Sequence, residues 1–318
     1  MIFKTIPQNG KSWQESLLYT LEFEQREGQV KVEIYDQLSS SQLGSIMLYN
    51  VTSAEIDIAP YIRSYKMSMP IAAQELIITP SPDACRVVLR VGDRESEPRL
   101  FFRSDVGALR PQILSATTDS GTIAVGEKIR LTILARGSIN LTVMRSSNGD
   151  FQHYEYITDG VPCEVVLPVD VATVGESIVL RVVCDGEFVG SSGYRVVERD
   201  SSAVRLTWVS TKGGMECCTF PQSVKRSMVV KSEDVECECG WYRRVASSTV
   251  VRRVMMLGAT QSEMDALLDI LLSPKVWKCD GGVDMAVQLL TDTIHYDDHG
   301  RLRRLEFDIK EEWKGGLL

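Results

Sequence analysis

Thr260-Gln-Ser-Glu-Met-Asp-Ala-Leu-Leu-Asp-Ile-Leu-Leu-Ser-Pro-Lys-Val276 is the one stretch of the chain whose local signals all specify a single conformation. Thr260 and Glu263 have capping-box spacing, in which the hydroxyl accepts from the third helical N–H while the carboxylate reaches back to the cap's own N–H. Met264, Leu267, Leu268, Leu271 and Leu272 recur at i, i+3, i+4, i+7 and i+8, which puts them on one helical stripe. Ser273 and Pro274 end the helix, because proline disfavours helical geometry in the residue before it. Strand-like segments flank the stretch on both sides, so the helix is expected to lie across a sheet.

Working outward, Val204 to Val209 reads as a strand containing Trp208, Gly213-Gly214 as a turn, and Met215 to Phe220 as the return strand of a hairpin. Val235, Cys237, Cys239 and Trp241 alternate with acidic residues and glycine, the period of a strand with one apolar face. Ser248 to Leu257, Val283 to Leu290, Thr293 to Tyr296 and Leu302 to Ile309 read as further strands, with a turn at Asp297 to Gly300. Residues 200–318 are therefore expected to form an α+β domain, with one helix packed across antiparallel strands.

Between Pro111 and Val197, strands are expected at Lys128 to Leu134, Ile139 to Met144, Phe151 to Ile157, Cys163 to Leu167, Ile178 to Cys184 and Tyr194 to Val197. Short strands at intervals of about 8 to 12 residues are the pattern of an immunoglobulin-like or fibronectin-like sandwich. This one has no inter-sheet disulfide, since the strand from Lys128 lacks a cysteine to pair with Cys184. In residues 1–106, Tyr19 to Glu24, Gln29 to Tyr35, Glu75 to Ile78 and Cys85 to Val91 read as strands, broken at Gly28, Ser39 to Ser41, Pro80 to Asp83 and Gly92-Asp93. Ile56 to Arg63 reads as a strand entering a turn at Pro60. The expected architecture is mainly β: a sandwich at 1–106, an immunoglobulin-like sandwich at 107–199, and the α+β domain at 200–318.

The chain has 318 residues, a formal charge of -8 and a pI near 5.1. That length exceeds what one hydrophobic core usually organises. The acidity argues against general nucleic-acid binding, which rests on clustered Lys and Arg. The negative excess belongs almost wholly to the first two-thirds, and from Arg199 onward acids and bases nearly balance. No run approaches the roughly 18 apolar residues of a membrane span, and Met1 to Leu21 has no continuous apolar h-region, so cytoplasmic synthesis without a signal peptide is expected.

The chemistry-bearing residues lead to a non-catalytic reading. Cys217-Cys218 and Cys237-x-Cys239 carry thiolate donors, but adjacent strand residues face opposite ways, so buried small hydrophobes are expected rather than a metal site. His295, Asp297 and His299 fall where a tight turn would break any shared face. The only other histidine is His153, and no nucleophile-elbow, zinc or phosphate-loop motif occurs, so no enzyme, cofactor or metal is expected. Arg243-Arg244, Arg252-Arg253 and Arg301, Arg303, Arg304 lie in or beside strands, where they are expected to form a charged solvent face or to ion-pair with a neighbouring acidic subunit, setting orientation more than affinity. The candidate interface residues are Trp208, Trp241, Arg243, Arg252 and Arg303.

Arg205-Leu-Thr-Trp208, Gly213-Gly214, Thr219-Phe220, the strand-rich middle, the capped helix ending Leu272-Ser273-Pro274-x-Val276 and two closing strands together resemble uncharacterised virion proteins encoded by phages and prophages of Bacteroidales-type bacteria. Met215, Glu216, Cys217 and Cys218 stand where those proteins carry aromatics. The resemblance implies a tail or baseplate structural subunit with protein partners, a homo-oligomer or phage-type assembly, and a virion location. A cell-surface or secreted glycan-binding module is the alternative, with Tyr154, Tyr156 and Trp241 as its aromatic candidates.

Overall fold

A computed structural model describes residues 1–66, 70–103, 110–114, 121–147, 149, 151–170, 172–198, 202–220, 222–238, 240–259, 261–280, 283–291 and 303–312. The protein is mainly β, built of several antiparallel sheets. The first region holds β1 (Ile2–Thr5), β2 (Leu18–Asp36), β3 (Ser41–Asp57), α1 (Ala59–Tyr65), β4 (Ile77–Pro80), β5 (Cys85–Val91), β6 (Arg94–Glu95) and β7 (Arg99–Phe101). All of these strands except β4 form one six-stranded sheet. The two strands expected at Tyr19 to Glu24 and Gln29 to Tyr35 are a single strand, because Gly28 sits in open space and the chain absorbs the interruption as a bulge between Glu22 and Glu27.

Of Ile56 to Arg63, Ile56 and Asp57 are strand, the end of β3, but Pro60 opens a helix rather than a turn. Pro60 lies in the first turn of α1, where its missing N–H costs nothing and its fixed φ suits the helix. Asp57 Oδ1 accepts from the N–H groups of Leu17 (2.8 Å) and Ala59 (3.0 Å), and Ile58, Ala59 and Ile62 enter the core with Trp13, Tyr19, Ile34 and Phe101.

The middle region holds β8 (Gln112–Ile113), β9 (Gly121–Ala124), β10 (Glu127–Leu134), β11 (Arg136–Arg145), β12 (Phe151–Asp159), β13 (Cys163–Val169), β14 (Ser177–Cys184) and β15 (Glu187–Val197). A four-stranded sheet, β4-β13-β10-β8, faces a five-stranded one, β12-β11-β14-β15-β9, over a shared core that includes Ile129, Leu131, Leu141, Val165 and Leu180. Each fully buried large aliphatic there stabilises the fold by roughly 1.5 to 3 kcal/mol. β4 belongs to the first region by position, yet it pairs with β13, Cys163 opposite Pro80. The two regions thus share a sheet. Cys163 and Cys184 are free thiols.

The last region holds β16 (Val204–Val209), β17 (Met215–Phe220), β18 (Gln222–Cys237), β19 (Gly240–Ala259), α2 (Gln261–Leu272), β20 (Val276–Asp280), β21 (Val283–Leu289) and β22 (Arg303–Glu312). They make a seven-stranded sheet of order β17-β16-β20-β21-β22-β19-β18. β18 starts two residues after β17 ends although the two stand at opposite ends of that order, so the sheet curls on itself, and Phe220 meets Phe307 edge to face at 5.2 Å. α2 closes this core through Leu267 and Ile270, with Leu268 and Leu271 half-buried. Leu272, expected on the buried stripe, is 73% exposed. Asp269 takes a buried place instead, accepting from Trp208 Nε1 (3.4 Å), Thr211 N (3.1 Å) and Thr211 Oγ1 (2.5 Å). The Thr260 cap, the Thr293 to Tyr296 strand and the His295, Asp297, His299 turn lie outside the described residues.

Candidate interaction surface

Two long antiparallel ribbons dominate the surface. In the first, β2 and β3 pair from Leu18 opposite Asp57 to Asp36 opposite Ser41. Its turn is fixed from inside: Asp36 is fully buried, accepts from Ser39 Oγ (2.8 Å) and Arg86 N (3.0 Å), and pairs with Lys66 Nζ at 2.9 Å. Its middle leaves the core. From Glu24 to Gln29 every residue is exposed, and opposite them Tyr49 is 62% exposed. β2 is bonded on its inner side by β1 and β5, whereas β3 pairs with β2 alone among the described strands. β3 is thus an open sheet edge.

The second ribbon, β18 and β19, pairs from Gln222 opposite Met255 to Cys237 opposite Gly240. The alternation of Val235 to Trp241, expected to make one strand, runs across the turn of this hairpin. At about 3.3 Å per residue, β18 carries Cys237 about 50 Å from its start beside β17. Cys217 and Cys218 lie buried at that other end, away from Cys237. Burial pushes both of these thiols up, that of Cys218 to about 11, so they are inert protonated core groups.

The register of β18 against β19 sets Lys225 opposite Arg253 and Arg226 opposite Arg252, so basic positions stand in register across the ribbon. β22 supplies acids to the β19 members of these pairs: Arg252 Nε meets Glu311 at 3.1 Å, and Arg253 Nε meets Asp308 at 2.8 Å. Lys278 Nζ adds a second bond to Glu311 at 3.2 Å.

The expected interface residues divide on these facts. Arg252 belongs to the second ribbon, and its backbone also carries Trp241 and Arg243 near the turn, opposite Glu236 and Asp234. Arg303 lies in β22 opposite Ala259. The side chains of Trp241, Arg243 and Arg303 are outside the described set. Trp208 is a correction: it is fully buried among Leu206, Phe220 and Ile270, because its indole is the largest apolar surface available to fill the curl of the sheet. Tyr154 and Tyr156 are half-buried against the middle core, so neither presents an open face for a sugar. The exposed aromatics of that sheet are Phe151 (63%) and Phe188 (60%), which no motif singles out.

Ion pairs brace the regions against one another, one at the surface and the others buried. Arg86 Nη2 of β5 meets Asp159 of β12 at 2.6 Å, beside a cleft of about 270 Å³ that Arg136 also lines. Arg130 of β10 meets Glu164 at 3.3 Å and, across the junction, Asp284 of β21 at 3.1 Å. Glu164 is fully buried, and its Oε2 has no hydrogen-bond partner among the described residues. Burial pushes its carboxyl up from 4.5 to about 7, with Arg130 pulling down and Asp83 and Asp284 pushing further up.

A carboxyl that holds its proton more tightly when folded stabilises fully below its unfolded pKa, and that contribution is lost as pH rises through the folded one. The loss amounts to about 3 kcal/mol between about pH 4.5 and pH 8. Thermal melts are expected to show wild type losing stability over that window and Glu164→Gln losing much less. Parallel pH profiles for the two proteins would place the dependence elsewhere.

No family model matches this chain, and no curated protein matches it either. Among solved structures it is similar to one described as a biofilm associated protein, BSP domain, at 12% identity and a TM-score of 0.21, over 62% of this chain and 30% of that one. This chain spans less than a third of that protein's length.

Proposed function

We propose that this chain is a non-catalytic structural subunit that works through protein–protein interfaces, of the kind that builds a phage or prophage tail or baseplate. In this reading the immunoglobulin-like residues 107–199 are a β-sandwich spacer that shares β4 with the first region, and the six-stranded sheet of that first region and the α+β residues 200–318 each offer an assembly edge. One observation carries it: the longest elements of the fold are two ribbons with open edges, β3 and β18, mounted on a body braced by buried Arg130 and Arg205. Open edges of this length are a liability for a monomer and a template for pairing with another chain.

The test is to tag the chain at its native locus and fractionate the cell extract on a density gradient. The tagged chain is expected in a discrete large particle together with other structural proteins. Recovery solely as a free chain at every stage of growth, or with an enzymatic turnover that copurifies, overturns the reading.

A further inference from the structure

We infer that the outer edge of β3 in one copy of this chain pairs with the outer edge of β18 in a second copy. The inference rests on the assembly reading above and names its interface. β3 and β18 are each hydrogen-bonded on one side alone among the described strands. Monomeric proteins guard such edges with Lys, Pro or short length. β3 has none of these guards: from Ser41 to Ala54 it carries no charged residue and no proline, over a strand of 17 residues. It displays Met47 at 38% exposure and Tyr49 at 62%, and β18 displays Met228 at 53% and Val229 at 49%.

Charge selects which edge meets which. The β2–β3 ribbon carries Glu22, Glu24, Glu27, Glu33 and Glu55 against only Arg26 and Lys31 outside its buried ends. The half of the β18–β19 ribbon nearest the body carries Lys225, Arg226, Lys231, Arg252 and Arg253 and no acid. Two copies of β3 brought together would set acidic ribbons side by side, and two copies of β18 would set one run of basic positions against another. A β3 edge laid on a β18 edge brings the acidic ribbon against the basic one. Such complementarity fixes register and orientation.

The two edges belong to one chain, so the contact is head-to-tail. Each copy that offers β3 keeps β18 free for the next, and repetition yields a ring if the rotation closes or a filament if it does not.

The experiment uses the full chain in sedimentation velocity and light scattering over a range of concentrations and salt. Wild type is expected to pass beyond dimer as concentration rises, and less readily at high salt. Tyr49→Lys places a base at the open edge of β3, and Val229→Glu places an acid at that of β18; each alone is expected to weaken association about tenfold or more. An equimolar mixture of the two variants is expected to form heterodimers, since each supplies the edge that the other has lost. Circular dichroism checks that the variants fold, and Met47→Lys repeats the β3 test should Tyr49→Lys fail to fold.

Three outcomes overturn the inference: a chain that stays monomeric at every concentration, assembly that neither variant affects, or assembly that Tyr49→Lys abolishes and Val229→Glu does not, which would mean a two-fold β3–β3 contact. Assembly untouched by both variants leaves the assembly reading standing and moves its interface elsewhere on the chain, so the two ideas fail separately.

Discussion

Arg205→Ala is expected to cost about 3 to 5 kcal/mol of stability, the usual penalty for removing one partner of a buried ion pair. Arg205 lies on β16, and its side chain is only 3% exposed. Nη1 donates to the carbonyl of Thr122 (3.1 Å) and to Thr219 Oγ1 (3.0 Å), and Nη2 donates to the carbonyl of Lys128 (2.6 Å). Glu127 Oε2 lies 3.7 Å away and also accepts from Ala124 N and Thr219 Oγ1. One guanidinium therefore satisfies two carbonyls of the middle region from within the C-terminal sheet. Without it those carbonyls lose a donor, and the Glu127 carboxylate stays buried with hydrogen bonds and no counter-charge.

The paired change Arg205→Met with Glu127→Gln removes the stranded charge and is expected to recover part of the loss. Urea unfolding of the two singles and the double gives the coupling directly. If Arg205→Ala unfolds within about 1 kcal/mol of wild type, the junction is not held by this pair. Limited proteolysis gives a second readout, since a loosened junction is cut more readily while each core stays folded.

The strands of the middle region are legible in the sequence because period-2 alternation and the turns at Gly126, Gly137 and Gly160 act locally, and all six expected strands are present with ends shifted by a few residues. The hairpin of β16 and β17 has the expected bounds for the same reason, its turn closed by Ser210 N to Gly214 O at 2.8 Å. β3 is not legible: Ser, Gln, Gly, Asn and Thr interleave with its apolar residues and read as loop, and its partner β2 alone makes it a strand. The turn between β18 and β19 is hidden because Cys237, Cys239 and Trp241 keep the alternation going through it. α2 is legible as a helix, but not which way it faces. Asp269 turns toward Trp208 and Thr211, residues about sixty positions away in the chain, and this rolls Ile270 inward and Leu272 outward.

The candidate surface is legible only as composition. The bases at Arg243, Arg252 and Arg303 mark strands that do belong to the second ribbon or its neighbour β22, yet their meaning lies in cross-strand register, which sets Arg226 against Arg252 and which no local window contains. Trp208 misleads because a large aromatic near a glycine turn has the same composition whether it fills a core or crowns a surface. Burial decides between the two, and burial here depends on α2 and β22 arriving from far along the chain.

Gly214→Ala is expected to be as damaging as the loss of Arg205, although it adds a single methyl group. A Cβ built on Gly214 would stand 1.8 Å from the carbonyl oxygen of Leu114 and 3.0 Å from Thr132 Cβ. The first of these is backbone, so no rotamer change relieves it. Met215 N donates to Thr132 Oγ1 at 3.0 Å and Leu114 N donates to Thr132 O at 2.8 Å, so the β16–β17 turn and the residue that follows β8 are pinned to the same residue and cannot part without breaking one of these bonds. The turn must lift off the middle region and give up the Met215–Thr132 bond, at a cost of about 3 kcal/mol, the upper part of the range for overpacking.

Gly28→Ala is the control. Gly28 has nothing within 4 Å and lies in exposed β2, so an added methyl is expected to be neutral or slightly stabilising. Gly213→Ala falls between the two, since Gly213 has a φ of 87°, which a side chain adopts at a cost of roughly 1 to 2 kcal/mol. Unfolding midpoints in urea are therefore expected to rank Gly28→Ala at or above wild type, Gly213→Ala below it, and Gly214→Ala lowest. If Gly214→Ala proves no worse than Gly213→Ala, the pair serves the turn alone and the close approach of Leu114 is not what holds the C-terminal sheet in place.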